Sequence, residues 1–175
     1  MLFEQLNVKD AWVITPQPIE DSRGFFSRIV CEKEFSDHGL QNHWLQQNIA
    51  FNHVKGTLRG MHYQKGEAAE IKVVRCTRGS VYDVIVDFRK ESSTYLQWAG
   101  EELSVDNHKM LYVPQGFAHG YITLSDCAEI TYLVSAFYTP GREAGIRYDD
   151  PKIGIEWPMD PVSISEKDSS WPYLE

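Results

Sequence analysis

The run Gly56-Thr57-Leu58-Arg59-Gly60-Met61-His62-Tyr63-Gln64 sets a guanidinium, an imidazole, a phenol and an amide among apolar residues. An imidazole exchanges protons near neutral pH, and a guanidinium grips anions through a planar fork of donors. Brought together on one wall of a barrel, they would form an anion site with acid–base chemistry beside it. The stretch reads as a strand. Counting by twos puts Leu58, Gly60 and His62 on one face, with Thr57, Arg59, Met61 and Tyr63 on the other. If Leu58 faces a barrel interior, so does His62. Arg59 joins them only if Gly60 sits at a bulge that shifts the phase of the strand. The plainer reading is a histidine satisfied by its neighbours and an arginine in a salt bridge.

Other polar residues fall on apolar faces. In Ile71-Lys72-Val73-Val74-Arg75-Cys76, Lys72 shares a side with Val74 and Cys76, and Arg75 shares the other with Ile71 and Val73. A lysine on an apolar face is costly unless paired, so either cation is a candidate for work, depending on which face is inner. Asp83 alternates with Tyr82, Val84 and Val86, and is either solvated or a buried carboxylate paired with a cation. Ile130, Tyr132 and Val134 share a face, which puts a phenol among branched apolar side chains. Its ordinary use there is a hydroxyl bonded to backbone.

The elements that must position these groups are short strands. Trp12-Val13-Ile14 reads as an early edge strand, and Phe25 to Val30 as an extended segment after the turn Asp21-Ser22-Arg23-Gly24. Glu32 to Leu40 is the one helix expected in the first half. Ile71 to Cys76 and Val81 to Phe88 flank Thr77-Arg78-Gly79-Ser80, which reads as a hairpin turn. Met110 to Val113, Gly120 to Leu124 and Glu129 to Ser135 follow, and residues 151–175 are expected to wrap the barrel as loops and short turns. Regular short strands with turns between them predict an all-β barrel or jelly roll. The 175 residues suit one domain spanning 1–175, with 42% hydrophobic residues to fill its core. A net charge of −8 argues against wholesale binding of nucleic acid or acidic membrane. No run is long and apolar enough to span a membrane, and no signal peptide is visible at the start. Cys31, Cys76 and Cys127 stand singly, which suits reduced thiols in a cytoplasm.

Pro114-Gln115-Gly116-Phe117-Ala118-His119 has the form P-x-G-x-x-H and resembles the second signature of the cupin superfamily. Many cupins use that histidine as a metal ligand. Their companion signature needs a second histidine two residues after the first, and here the stretch is His62-Tyr63-Gln64. Two histidines fall short of the three protein ligands of a stable catalytic metal site. A cupin barrel working without metal or other cofactor is expected.

The resemblance narrows over nearly the whole chain. Asp21-Ser22-Arg23-Gly24-Phe25-Phe26, Gly56 to Gln64, Gly116-Phe117-Ala118-His119-Gly120 and Phe137-Tyr138-Thr139-Pro140 occur in one order. With Glu143-Ala144-Gly145-Ile146, Asp149-Asp150-Pro151, Ile155-Glu156-Trp157-Pro158 and Ser165-Glu166-Lys167-Asp168, they resemble the dTDP-4-dehydrorhamnose 3,5-epimerase family. The resemblance implies a cupin-type jelly-roll barrel with a few short helices. It implies a substrate that is a nucleoside-diphosphate 4-keto sugar, whose C3 and C5 protons are acidified by the ketone. It implies His62 as base, Asp168 as the carboxylate that orients it, Tyr132 as the acid opposite and Lys72 beside the carbonyl oxygen. Arg23 and Arg59 resemble the guanidinium contacts to nucleotide and diphosphate, Gln47 and Asn48 the polar contacts near base or ribose, and Tyr138 the ring that stacks on the base. His119, Glu143 and Lys167 fall at ligand-contact positions, and Asp83 could support the lysine or histidine network. Arg23 commonly arrives from the neighbouring subunit, which implies a strand-exchanged homodimer. One departure is Arg28, where well-known members carry glutamate. It leaves dTDP, CDP, UDP or GDP open as carrier, and inversion of C3 alone or C5 alone stays open beside the double reaction, as does a sugar-nucleotide binding module that has lost catalysis.

Overall fold

Short runs rich in Val, Ile and Tyr, bounded by Gly, Pro and Asp, fold as strands that satisfy one another's backbone groups. The computed structural model describes residues 1–175. In chain order the elements are β1 (Leu2–Gln5), β2 (Trp12–Thr15), β3 (Ile19–Asp21), β4 (Gly24–Phe26), α1 (Glu32–Asp37), β5 (Gln46–Asn52) and β6 (Thr57–Gln64). Then come β7 (Lys72–Arg78), β8 (Ser80–Asp87), β9 (Trp98–Ser104), β10 (Met110–Val113), β11 (Phe117–Thr123) and β12 (Ala128–Val134). The last are β13 (Glu143–Gly145), β14 (Ser163–Ile164) and α2 (Glu166–Ser169).

Two sheets face each other as a jelly-roll barrel. The first has the order β1-β2-β10-β7-β12-β5; the second has β13-β6-β11-β8-β9, with β14 running parallel to β6. Val13, Val74, Leu111 and Ile130 of the first meet Val81, Ile85, Leu103 and Phe117 of the second in the main core. Both outer faces are also packed. Phe35 of α1 is fully buried against Ile14, Val73 and Met110 outside the first sheet. The segment after β13 lays Ile146 and Ile153, with Trp157 and Leu174, against Met61, Val84 and Ala118 outside the second.

Three expectations need correction. The turn at residues 77–80 does not make a hairpin: β7 pairs with β10 and β12, whereas β8 pairs with β9 and β11. Gly79, at φ +72°, instead carries the chain from one sheet to the other. The edge of the first sheet is β1, and β2 lies inside it between β1 and β10. Third, Leu58 does not share a face with His62. His119 pairs with His62 and Tyr121 with Arg59, so Gly60 and Met61 of β6 together oppose Gly120 of β11 and the strand bulges there. Leu58, opposite Ile122, consequently lies outside the barrel, and the bulge turns Arg59 to the same side as His62.

Candidate active site

The inward faces near the open end of the barrel enclose one cleft with two chambers. The outer, about 190 Å³, is lined by Gln46, Asn48, His62, Lys72, Tyr132 and Tyr138, among others. The inner, about 250 Å³, adds Arg59, His119 and Tyr121 and shares His62, Lys72 and Tyr132. His62 comes from β6 in the second sheet. Tyr132 and Lys72 come from the adjacent strands β12 and β7 of the first. An imidazole therefore faces a phenol and an ammonium from opposite walls.

His62 Nε2 lies 2.5 Å from Asp168 Oδ1. Asp168 is held in turn: its N–H donates to Ser165 Oγ at 3.0 Å, the N-cap bond of α2, and the Gly60 N–H donates to its Oδ2 at 3.4 Å. Burial pushes the Asp168 carboxyl up, but the His62 bond and charge, with the Gly60 and Ser165 bonds, outweigh it and leave the pKa below the usual carboxylate value. An ionised Asp168 accepts the Nε2 proton, which assigns the basic lone pair to Nδ1. The second histidine is deeper. His119 Nε2 lies 2.9 Å from both carboxylate oxygens of Asp83, and Asp83 is fully buried. Of the two readings open for Asp83, the buried one holds. No group of three His, Cys, Asp or Glu side chains converges in the structure, and each histidine directs Nε2 at its own carboxylate.

Lys72 Nζ sits 3.0 Å from Glu70 Oε1. Of the two cations on β7, Lys72 is the inner one. Arg75 points outward among Phe26, Trp44, Val73 and Met110, where burial lowers its pKa and its Nε has no partner. Tyr132 is half-buried. Desolvation raises its pKa, the charge of Arg59 opposes the rise, and Glu70 adds to it. Arg59 is steered by a buried amide: its Nε donates to Asn52 Oδ1 at 2.8 Å, while Asn52 Nδ2 donates to Tyr121 OH at 3.2 Å. Burial drives the Tyr121 phenol up to about 12, so it stays protonated at neutral pH.

At the rim, Lys167 Nζ bonds Glu143 Oε2 at 2.9 Å, and that bond holds Glu143 below the usual carboxylate range. Glu143 and the exposed Tyr138 both line the outer chamber. Two expected contacts are elsewhere. Gln47 faces outward with Thr131 and Leu133, and its neighbour Gln46 enters the cleft beside Asn48. A one-residue offset in a strand exchanges its faces. Arg23 lies on the β3–β4 ribbon, 88% exposed and bound to Asp21, and does not line the cleft of its own chain. Glu70, Gln46 and Asn52 were not read from the sequence as site residues. The nearest signal was a pair of glutamates, Glu67 and Glu70, just before Lys72.

Known proteins share this fold. The model of the dTDP-4-dehydrorhamnose 3,5-epimerase family matches residues 5–175. A dTDP-4-dehydrorhamnose 3,5-epimerase of Sinorhizobium fredii is 43% identical over 99% of this chain and 90% of its own. The crystal structure of the Bacillus anthracis enzyme of that name, with TDP and PPi bound, superposes with a TM-score of 0.95 at 37% identity, covering 99% of each chain. The Legionella pneumophila dTDP-6-deoxy-D-glucose-3,5-epimerase, in complex with dTDP-4-keto-L-rhamnose, gives 0.92 at 34% identity, covering 98% of this chain and 92% of its own. By its fold and by family and relatives matched end to end, this chain belongs to the dTDP-4-dehydrorhamnose 3,5-epimerase family.

Proposed function

We propose that this protein inverts C3 and C5 of a 4-keto-6-deoxyhexose nucleotide, converting dTDP-4-dehydro-6-deoxy-D-glucose to dTDP-4-dehydro-L-rhamnose. The observation that carries the reading is the placement of His62 across the barrel from Tyr132 and Lys72 in one cleft. Inversion needs a proton taken from one face of a carbon and another delivered to the opposite face. His62 Nδ1 removes the proton beside the ketone, and the C–H electron pair moves into the enolate, leaving its charge on oxygen. The Lys72 ammonium lies against that oxygen. Stabilisation of this kind is worth roughly 10²–10³ in kcat. Tyr132 then donates its phenolic proton from the far side, and the imidazolium and phenolate are reset by proton exchange with water. Asp168 keeps the imidazole in the productive tautomer and supports its positive charge.

Arg59 is assigned to the diphosphate, His119 to a ligand contact above Asp83, Gln46 and Asn48 to the ribose or base, and Tyr138 to stacking on the base. Glu143 and Lys167 form the rim of that site. Arg23 is assigned to the nucleotide bound by a partner subunit, in a homodimer that exchanges β3–β4. Supporting this, the ribbon joins neither sheet and exposes Ile19 (73%), Phe25 (56%) and Phe26 (69%). An isolated two-stranded ribbon is marginal in water. Free cysteines and the absence of any helix long and apolar enough to cross a membrane are compatible with work in the cytoplasm.

Incubating the protein with the dTDP-4-keto sugar in deuterated water tests the reading. Label at both C3 and C5 with inversion is expected; label at one carbon would reassign it as a single-centre epimerase, and no label would overturn enolate chemistry. Tyr132→Phe should bind the nucleotide and form no inverted product.

A further inference from the structure

Glu70 is a buried acidic side chain of the cleft to which the reaction above gives no part. It lies between the 3-10 turn at Gly66–Ala68 and β7, its side chain only 9% exposed, in the same chamber as Tyr132. One oxygen faces Lys72 Nζ at 3.0 Å and the other accepts from Gln64 Nε2 at 2.6 Å. Gln64 is itself fixed. Its Nε2 also donates to Ala68 O at 3.0 Å, and its Oε1 accepts the Thr139 N–H at 2.8 Å, so only one orientation of the amide fits. β6 thereby holds Glu70 on one side and the segment bearing Tyr138 on the other.

We propose that Glu70 is a positioning residue for this epimerisation: its carboxylate fixes the Lys72 ammonium in the cleft and sets a negative charge beside the Tyr132 phenol. The proposal rests on the function assigned above. A lysine side chain is a flexible four-carbon stem, so a free ammonium would sample many positions around the enolate oxygen. An anchored one is in place before charge develops. The anion also subtracts from the field that Lys72 presents, so what it supplies is placement and not a stronger attraction.

Its second effect is on the acid. A phenol can reprotonate carbon only while it holds its proton. Burial disfavours phenolate at Tyr132, Arg59 favours it, and the Glu70 charge acts with burial against it. The other charged or titratable groups of the chambers that Tyr132 lines are His62, Lys72, His119, Tyr121, Tyr63, Tyr138 and Glu143, with Arg75 on the adjacent strand β7. Glu143 is the other carboxylate among them and is bound to Lys167 at the rim, whereas Glu70 sits beside Lys72 and is the carboxylate whose charge opposes phenolate at Tyr132.

Two variants separate charge from reach. Glu70→Gln keeps the shape and removes the charge; Glu70→Asp keeps the charge and falls about one methylene short of Lys72. Tyrosine labelled at Cζ with carbon-13, with the Tyr132 signal assigned through Tyr132→Phe, reports the phenol directly by NMR titration. In Glu70→Gln the Tyr132 midpoint and the alkaline limb of kcat should both move to lower pH by about half a unit or more. In Glu70→Asp the midpoint should stay within about 0.2 units of the parent while kcat falls roughly tenfold and KM changes less than threefold. A Glu70→Gln titration that superimposes on the parent overturns the proposal, as does Glu70→Asp turning over at the parental rate. A shifted titration in a protein that makes no inverted sugar would instead overturn the assigned reaction and leave the coupling of Glu70 to Tyr132 standing.

Discussion

His62 and His119 stand directly opposite each other on β6 and β11, yet each directs Nε2 at a different carboxylate. The His62 side chain is 38% exposed in the cleft and the His119 side chain 9%. Paired positions on neighbouring strands thus give two Asp-bound imidazoles of unlike access. The open one can reach a carbon acid, and the sunken one, between Asp83 and the inner chamber, is built to stay put.

Asp168→Asn tests the working pair. The amide can present either a donor or an acceptor to Nε2 and carries no charge, so neither the tautomer nor the imidazolium is supported. A fall in kcat of about 10²–10⁴ is expected with KM within a few-fold, the pattern of a wrong-tautomer lesion. Steady-state kinetics beside an unchanged circular dichroism spectrum would check it; a loss below threefold would remove Asp168 from the mechanism.

Gly60→Ala probes the bulge. Gly60 has φ +131°, and an added Cβ would lie 2.5 Å from Gly120 Cα and 3.0 Å from His119 O. Both neighbours are backbone, so no side chain can swing aside. A loss of more than about 2 kcal/mol is expected, read as a melting temperature lower by roughly 5 °C or more. A variant melting with the parent would mean that the close contact between β6 and β11 is looser than described.

Acid stability should centre on Asp87. It is fully buried and accepts from Arg89 Nε and Nη2 at 2.9 and 2.8 Å, from Ser92 Oγ at 2.6 Å and from Thr94 Oγ1 at 2.7 Å. Burial pushes its pKa up, and these bonds more than reverse that, holding it at about 2. The unfolded chain would titrate it near 3.9. Because the folded value is the lower one, the contribution of about 2 kcal/mol is complete above the unfolded value and fades as pH falls through the folded one. Melting curves of the parent and Asp87→Asn should therefore differ most above pH 4 and converge toward pH 2. A gap that ignores pH would discount the ionised network.

The strands around the cleft were legible because alternation is a strong signal wherever one face is buried. Alternation groups Lys72 with Val74 and Tyr132 with Ile130, and leaves open which face is the inner one until the sheets are paired. Sheet membership was not legible, since Thr77-Arg78-Gly79-Ser80 reads alike whether the chain reverses within a sheet or crosses to the facing one. β9 carries Gly100, Glu101 and Glu102 in mid-strand, a weak pattern, and gave no sequence signal. Arg59 depends on a bulge that alternation can permit but not locate, and in β5 the structure brings Gln46, not Gln47, to the cleft. Asp168 and Glu70 lie outside the alternating runs. Resemblance to a family implies the first, and only the folding of the chain brings the second beside Lys72.

The base is completed from far along the chain, because Asp168 follows His62 by 106 residues. Every strand of both sheets is translated before that carboxylate. A nascent chain on the ribosome can therefore pair its strands before the carboxylate that partners His62 has been made.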